Sequence, residues 1–236
     1  MTLDGTNTWL LDIDDESVVV VDPGPDDEGH LAAVSDALGD RRVRDILLTH
    51  GHLDHSAAAL SFAGAFGASV RALDWQPGHE RLAPGEVLDY GDVAIHVVAT
   101  PGHTHDSVSL HMPTMAALLT GDTILGRGTT VVAHPDGRLQ DYLESLRRLQ
   151  DLVERVGATR VWPGHGPALP DAAEVIEAYL EHRQQRLNEV SRAVADLPPG
   201  PGLARAVVER VYADVPEVLW PAAELSVLAQ LEYLGH

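Results

Sequence analysis

The chain has 236 residues, no cysteine, and 36 acidic against 16 basic side chains, for a formal charge of −20. The lack of cysteine excludes disulfides, thiolate nucleophiles and cysteine-held zinc, so a metal would have to sit on histidine and carboxylate ligands. The acidity disfavours nucleic acid as a partner, because affinity for a phosphate backbone rests on Lys and Arg, and it favours a small-molecule substrate.

The length allows one large domain, or a catalytic domain with a small appendage. No segment approaches the ~20 uninterrupted apolar residues of a membrane span. Met1 to Trp9 lacks the basic start and apolar run of a secretory signal, so no membrane contact and a cytoplasmic location are expected. Oligomeric state leaves no signature.

Short runs rich in Val, Ile and Leu predict strands at Ser17 to Val21, Asp45 to Thr49, Ala68 to Ala72, Val93 to Ala99, Ser107 to His111, Ala116 to Thr120 and Thr159 to Trp162. Glycine and proline punctuate their ends, as in Asp22-Pro23-Gly24, Pro101-Gly102, Gly121 and Pro163-Gly164. Between the last two strands, Leu139, Tyr142, Leu143, Leu146, Leu149, Leu152, Val153 and Val156 follow a helical period that Gly157 stops. Two βα-rich halves meet near residue 90, the outline of a duplicated layout.

After Pro170 strands disappear from the pattern. Asp171 with Glu174 forms a capping box that opens a long helix carrying Val175, Ile176, Tyr179 and Leu180. Punctuation at Leu197 to Gly202 separates it from helical patterns at Leu203 to Tyr212 and Ala222 to Leu234. The expected division is a catalytic domain over 1–169 and a helical domain over 170–236.

The chemistry concentrates in Thr49-His50-Gly51-His52-Leu53-Asp54-His55, just past the strand-like Arg44 to Leu48. At a strand end His50 and His52 share a face, while the following turn can aim Asp54 and His55 at a second centre. A lone histidine is more often surface or core filler. Four polar groups packed together without a metal would instead leave like-charged or unsatisfied groups in contact, at a cost on the order of several kcal/mol. Three later strand-end loops add one ligand-capable residue each: His103 after Thr100-Pro101-Gly102, Asp122 after Thr120-Gly121, and His165 after Pro163-Gly164. Imidazole and carboxylate donors suit zinc, manganese or iron.

His50-Gly51-His52-Leu53-Asp54-His55 followed in order by His103, Asp122 and His165 resembles the metallo-β-lactamase superfamily, over about Thr6 to Pro167. The resemblance implies an α/β fold, a four-layer αββα sandwich with the site at one edge of the sheets. It also implies two metal ions, zinc being the first expectation and manganese or iron the alternatives. By it, His50, His52 and His103 hold the first ion, Asp54, His55 and His165 the second, and Asp122 bridges both. Two such ions ~3.5–4 Å apart generate a nucleophilic bridging hydroxide, so hydrolysis is expected, with Asp54 and Asp122 as the catalytic carboxylates. The missing cysteine argues against antibiotic hydrolysis. His52, where di-iron members of the superfamily carry Glu, argues against oxygen chemistry.

Around this set Asp22 is the best candidate to orient a ligand histidine, against the plainer reading that it only starts a turn. Thr49, Thr100 and Thr123 are further candidates. His105 is a candidate substrate contact, against the alternative of a solvent-exposed histidine. Arg183, Arg186 and Arg192 lie on one predicted helix, either as an anion site facing the metals or as a solvated face paired with Glu181 and Glu189.

Gly5-Thr6-Asn7-Thr8-Trp9-Leu10, Gly121 to Gly126, Gly128-Thr129-Thr130 and Tyr179-Leu180-Glu181-His182-Arg183 resemble the compact subgroup that includes an animal mitochondrial single-strand endoribonuclease, whose tail is winged-helix-like. The same core is similar to hydroxyacylglutathione hydrolase and to polyketide-releasing thioesterases. Three functions are therefore carried forward: hydrolysis of a small acyl thioester or ester, which the acidity favours; cleavage of single-stranded RNA; and noncatalytic metal or nucleic-acid binding on the same fold.

Overall fold

The computed structural model describes residues 5–76, 78–157 and 159–236; Met1 to Asp4, part of the stretch read above for a targeting signal, lie outside the described residues. Strand β1 (Trp9–Asp12) runs antiparallel to β2 (Ser17–Val21). Helix α1 (Glu28–Leu38), capped by the Asp27 side chain accepting from His30 N, leads into β3 (Arg42–Leu47). The single turn α2 (Leu53–Ser56) and α3 (Ala59–Phe66) precede β4 (Ser69–Ala72) and β5 (Glu80–Arg81). These strands form one mixed sheet in the order β1-β2-β3-β4-β5.

The chain then changes sheets, close to the predicted division near residue 90. Strands β6 (Val87–Asp89), β7 (Ala94–Ala99), β8 (Val108–Met112) and β9 (Ala117–Gly121) follow as an antiparallel meander. Helix α4 (Leu139–Val156) carries the chain back so that β10 (Arg160–Pro163) lies parallel to β9 and completes the order β10-β9-β8-β7-β6.

Strand β2 shows why the layers stack as they do. All five of its residues are buried, because both faces of its sheet are covered. Val19 and Val21 join Leu47, Ile95, Val97, Leu110 and Leu119 in the core between the sheets, while Val18 and Val20 face the other way, toward Val34 and Leu38 of α1 and Phe62 of α3. On the far side of the second sheet, Leu118 and Val161 pack against Leu146 and Leu149 of α4 and against Ile176 and Tyr179 of α5 (Ala172–Ala195). The result is the expected αββα order.

Asp171 caps α5 as predicted, its side chain accepting from Glu174 N at 3.0 Å. This helix belongs to two cores. Its first turns pack with α4, whereas Val190 and Ala193 pack with α6 (Leu203–Val211) and α7 (Trp220–Leu234) in a separate cluster. The tail forms a winged-helix-like domain, with no strand after β10 among the described residues. No described helix is long and apolar enough to cross a membrane.

Candidate metal centre

The loops after β3, β7, β9 and β10 open at one edge of the two sheets and bring the seven expected ligands together. His50 Nε2 lies 3.0 Å from His52 Nδ1, and His103 Nε2 lies 3.1 Å from the same atom. His165 Nε2 is 3.2 Å from Asp54 Oδ2 and 3.3 Å from His55 Nε2. Asp122 stands between the two groups, its Oδ2 3.3 Å from His165 Nε2 and 3.7 Å from His103 Nε2. Three sets, His50/His52/His103, His50/His55/Asp122 and Asp54/His55/His165, each gather their donor atoms within 4.8 Å.

These donors fit a pair of metal ions. Inward-facing imidazole nitrogens at 3.0 to 3.3 Å oppose lone pair to lone pair unless a cation or a proton lies between them. Asp122 Oδ1 is buried and accepts no hydrogen bond, although it is 3.5 Å from His55 Nε2. A buried carboxylate oxygen without a partner is costly, and a metal would satisfy it. Space is kept open as well, since a Cβ at Gly164 would stand 2.5 Å from that oxygen and 2.7 Å from His55 Cε1.

Outward-facing nitrogens fix the tautomers. His55 Nδ1 donates to Asp22 Oδ2 at 2.8 Å, His103 Nδ1 to the Val131 carbonyl at 2.8 Å, and His165 Nδ1 to the Gly5 carbonyl at 2.7 Å. Each of these acceptors takes the outer N–H, so in the neutral ring the inner nitrogen presents its lone pair. His50 follows the same logic through Thr49. The Thr49 hydroxyl donates to Asp22 Oδ2 at 2.7 Å and is left to accept from His50 Nδ1 at 3.1 Å.

Asp22 therefore does more than start a turn. It sits in the left-handed region at φ 51°, an uncommon state for a residue with a Cβ, and its carboxylate also accepts from Thr49 N at 2.8 Å. Of the other threonines, Thr100 pairs with Ser109 and Thr123, and Thr123 gives its carbonyl to Tyr142, so they brace the loops rather than a ligand side chain.

The field is uneven across the cluster. Burial pushes the His50 and His103 pKa down, with the His55 charge adding to the effect on His50. Burial also opposes charge on His55, but Asp22 and Asp122 outweigh it and raise the group to about 10. His165 reaches about 10 against its own burial, through its bonds to Asp122 and Asp54. Burial raises Asp54, yet the His165 bond, the His55 charge and the Thr6 hydroxyl hold it at about 2. Asp122, by similar means, stays well below the usual carboxylate range.

Three expected residues stand apart from this cluster. His105 has its side chain 66% exposed and bonds Asp136 at 2.7 Å, which raises its pKa. Arg183 points inward: it is 7% exposed, donates to the Thr130 carbonyl and lies over the Tyr142 ring. Arg186 pairs with Glu189 at 2.7 Å and lies over Tyr212. The helical period splits the arginines between the core and α6, so these two do not make a joint face at the ligands. Sequence reasoning passed over the Gly5 and Val131 carbonyls, which carry no residue-type signal, and Thr6, whose hydroxyl donates to Asp54 Oδ2 at 3.0 Å.

The family description Metallo-beta-lactamase superfamily matches residues 1–74 and 71–165, and Beta-lactamase associated winged helix domain matches residues 204–235. The Beta-lactamase-like protein 2 homolog of Drosophila melanogaster is 32% identical, covering 100% of this chain and 85% of the fly protein. An atrochrysone carboxyl ACP thioesterase of Aspergillus fumigatus is 30% identical over 84% of this chain, which spans 62% of that protein. A beta-lactamase domain protein from Burkholderia ambifaria, 24% identical, shares the fold with a TM-score of 0.83 over 98% of this chain and 81% of that one.

Proposed function

This chain belongs to the metallo-beta-lactamase superfamily, and from that premise we propose that it is a hydrolase using two transition-metal ions, zinc first, on small acyl thioesters or esters. The metal reading rests on one observation, the convergent donors around the buried, unpartnered Asp122 Oδ1. His50, His52 and His103 would hold one ion, Asp54, His55 and His165 the other, and Asp122 would serve both. Such ions, when bound, bring the pKa of a water near neutrality and polarise the oxygen of an attacked carbonyl.

The chain's own groups prepare that chemistry. Asp22 and the Gly5 and Val131 carbonyls keep ligand histidines oriented, and the depressed pKa of Asp54 and Asp122 keeps both carboxylates charged at neutral pH. The fungal thioesterase supports an acyl thioester as substrate class. So does the charge nearby: His105 lies between Asp136 and Asp74, and Asp106 is packed beside Gly51, acidic groups that would repel a polyanion. Single-stranded RNA is the second reading, favoured by the Gly5–Leu10 and Tyr179–Arg183 segments. The proposed compartment is the cytoplasm.

The test is a substrate panel on protein reconstituted with zinc or manganese: acyl thioesters, esters, lactones, a lactam, phosphodiesters and single-stranded RNA. Rates are read at low and moderate salt, with metal content measured in parallel. Two ions per chain and thioester or ester turnover exceeding RNA cleavage, with little salt dependence, are expected. Metal content near zero refutes the metal reading. RNA cleavage that is faster, salt-sensitive and dependent on Asp122 replaces the substrate reading, and absence of turnover on every substrate points to a binding protein.

A further inference from the structure

The polar segment Gly5 to Thr8 lies just before β1, yet its bonds run to the His/Asp cluster. The Gly5 carbonyl accepts from His165 Nδ1 at 2.7 Å. Thr6 Oγ1 donates at 3.0 Å to Asp54 Oδ2, the oxygen that faces His165 Nε2 at 3.2 Å and His55 Nε2 at 3.6 Å. Asn7 N donates to the Gly164 carbonyl at 2.7 Å, and Asn7 Nδ2 to the carbonyls of Pro163 and Gly166 at 3.0 and 2.8 Å. Thr8 Oγ1 donates to the Asp22 carbonyl at 2.7 Å, behind the carboxylate that orients His55.

The first three of these residues address different parts of one half of the site. Gly5 holds His165, Thr6 holds Asp54 and Asn7 holds the loop that carries His165, whereas Thr8 holds Asp22, which stands behind His55 directly and behind His50 through Thr49. Trp9 closes the segment, its Nε1 donating to the Pro163 carbonyl at 3.1 Å and its ring stacked on Trp162. In the other half, His50 Nδ1 donates to the Thr49 hydroxyl and His103 Nδ1 to the Val131 carbonyl.

The geometry points to Gly5–Asn7 as a positioning strap that sets metal affinity at the Asp54/His55/His165 half-site and leaves the His50/His52/His103 half-site alone. Thr6 is its key side chain. With its hydroxyl on Asp54 Oδ2, the carboxylate cannot swing away from His165 without breaking that bond. A group that orients a ligand in this way commonly changes metal affinity by about 10–100-fold when removed. The inference rests on the metal reading above but not on the substrate reading.

The test is a metal titration, without substrate, on the full chain in chelator-buffered zinc, with bound metal read by elemental analysis. Asp54→Ala marks which of the two binding steps belongs to its half-site. Thr6→Val, which keeps the shape and loses the hydroxyl, is expected to weaken that step about tenfold and the other by less than about twofold, while Thr6→Ser restores it. If wild type takes up no zinc, the metal reading itself fails. If wild type binds two ions and Thr6→Val changes neither step, or both equally, or Thr6→Ser behaves like Thr6→Val, the strap is refuted. Should Thr6→Val melt well below wild type in chelator, Thr6→Ser and Asn7→Ala carry the test. The strap then requires Ser to match wild type within about twofold and Asn7→Ala to weaken the same step alone; any other pattern overturns it.

Discussion

The outer nitrogen of His50 donates to the residue beside it and that of His103 to a carbonyl 28 positions on, whereas Asp54, His55 and His165 are tied to groups 33 to 160 positions away. The two half-sites differ in charge as well as in support. Burial keeps His50 and His103 neutral at neutral pH, while carboxylates raise His55 and His165 to about 10. The half that holds the neutral His50 and His103 is set to receive a cation at both rings. Its neighbour must surrender protons first, and depends on remote segments being packed.

The residue that serves both halves tests the comparison most severely. Asp122→Ala removes the carboxylate between them while the sandwich core is built from other residues, so activity should fall at least about 100-fold, beyond the usual loss from an outer partner, with little change in melting temperature. Activity, thermal melting and metal content are measured side by side. Loss of folding along with activity would mean that the cluster is structural.

The charge difference is sharpened by pH. His55 and His165 have folded-state values near 10, above the ordinary 6.5, so in chelator-treated protein the stability they contribute is full below about 6.5 and is lost as pH rises through about 10. Metal must displace those protons. Affinity at their half-site should therefore climb by about tenfold or more per pH unit between about 6.5 and 8.5, while the step at the half that holds His50 and His103 rises less steeply. Metal titrations and apo melting curves across that range check both signs. Equal pH dependence of the two steps would remove the distinction.

The same contrast explains what the sequence disclosed. The candidate ligands were legible because His50 to His55 are crowded into one short loop, and because His103, Asp122 and His165 each follow a glycine at a strand end. The central strands and α4 were legible from their apolar periods. Strands β1, β5 and β6 were not, since two to four residues carry too little pattern, as with the exposed Glu80–Arg81 pair. Support for the ligands was legible only where a side chain provides it: Asp22 could be named, but the Gly5 and Val131 carbonyls could not, because any residue offers a carbonyl. Arg183 misled for a related reason. Helical spacing places it with Arg186, yet its guanidinium is spent inside the protein on Thr130.

That internal bond gives a smaller effect. Thr130 also donates its hydroxyl to the Asp122 carbonyl at 2.8 Å, so Arg183 braces the loop behind the shared ligand without touching it. Arg183→Met keeps much of the stem and strands the Thr130 carbonyl, which should cost about 1–3 kcal/mol of stability. Denaturant unfolding measures it. A stability loss with metal stoichiometry retained supports the bracing role, and unchanged stability with lost turnover would move Arg183 back to the substrate.

The smallest effect is expected at Arg186, and it separates the two substrate readings. Its guanidinium pairs with Glu189 one helical turn on, partly in solvent, and lies over the Tyr212 ring on the side of α6. Such an exposed pair is worth roughly 0.2–1 kcal/mol, so Arg186→Ala should barely move the melting temperature. A small acyl substrate held at the metal cluster has no use for this cation, and its turnover should stay within about twofold of wild type, because the arginine is neutralised locally and acidic groups flank the ligands. An RNA strand is different, since it must be tracked by several cations, and losing one phosphate contact lowers both affinity and its salt slope by about one unit. Thioester and RNA rates for wild type and Arg186→Ala, measured at low and moderate salt, therefore answer one question. Unchanged thioester turnover keeps the helical tail as a support for the sandwich, whereas a selective fall in RNA cleavage with a shallower salt slope would make α5 part of a nucleic-acid surface.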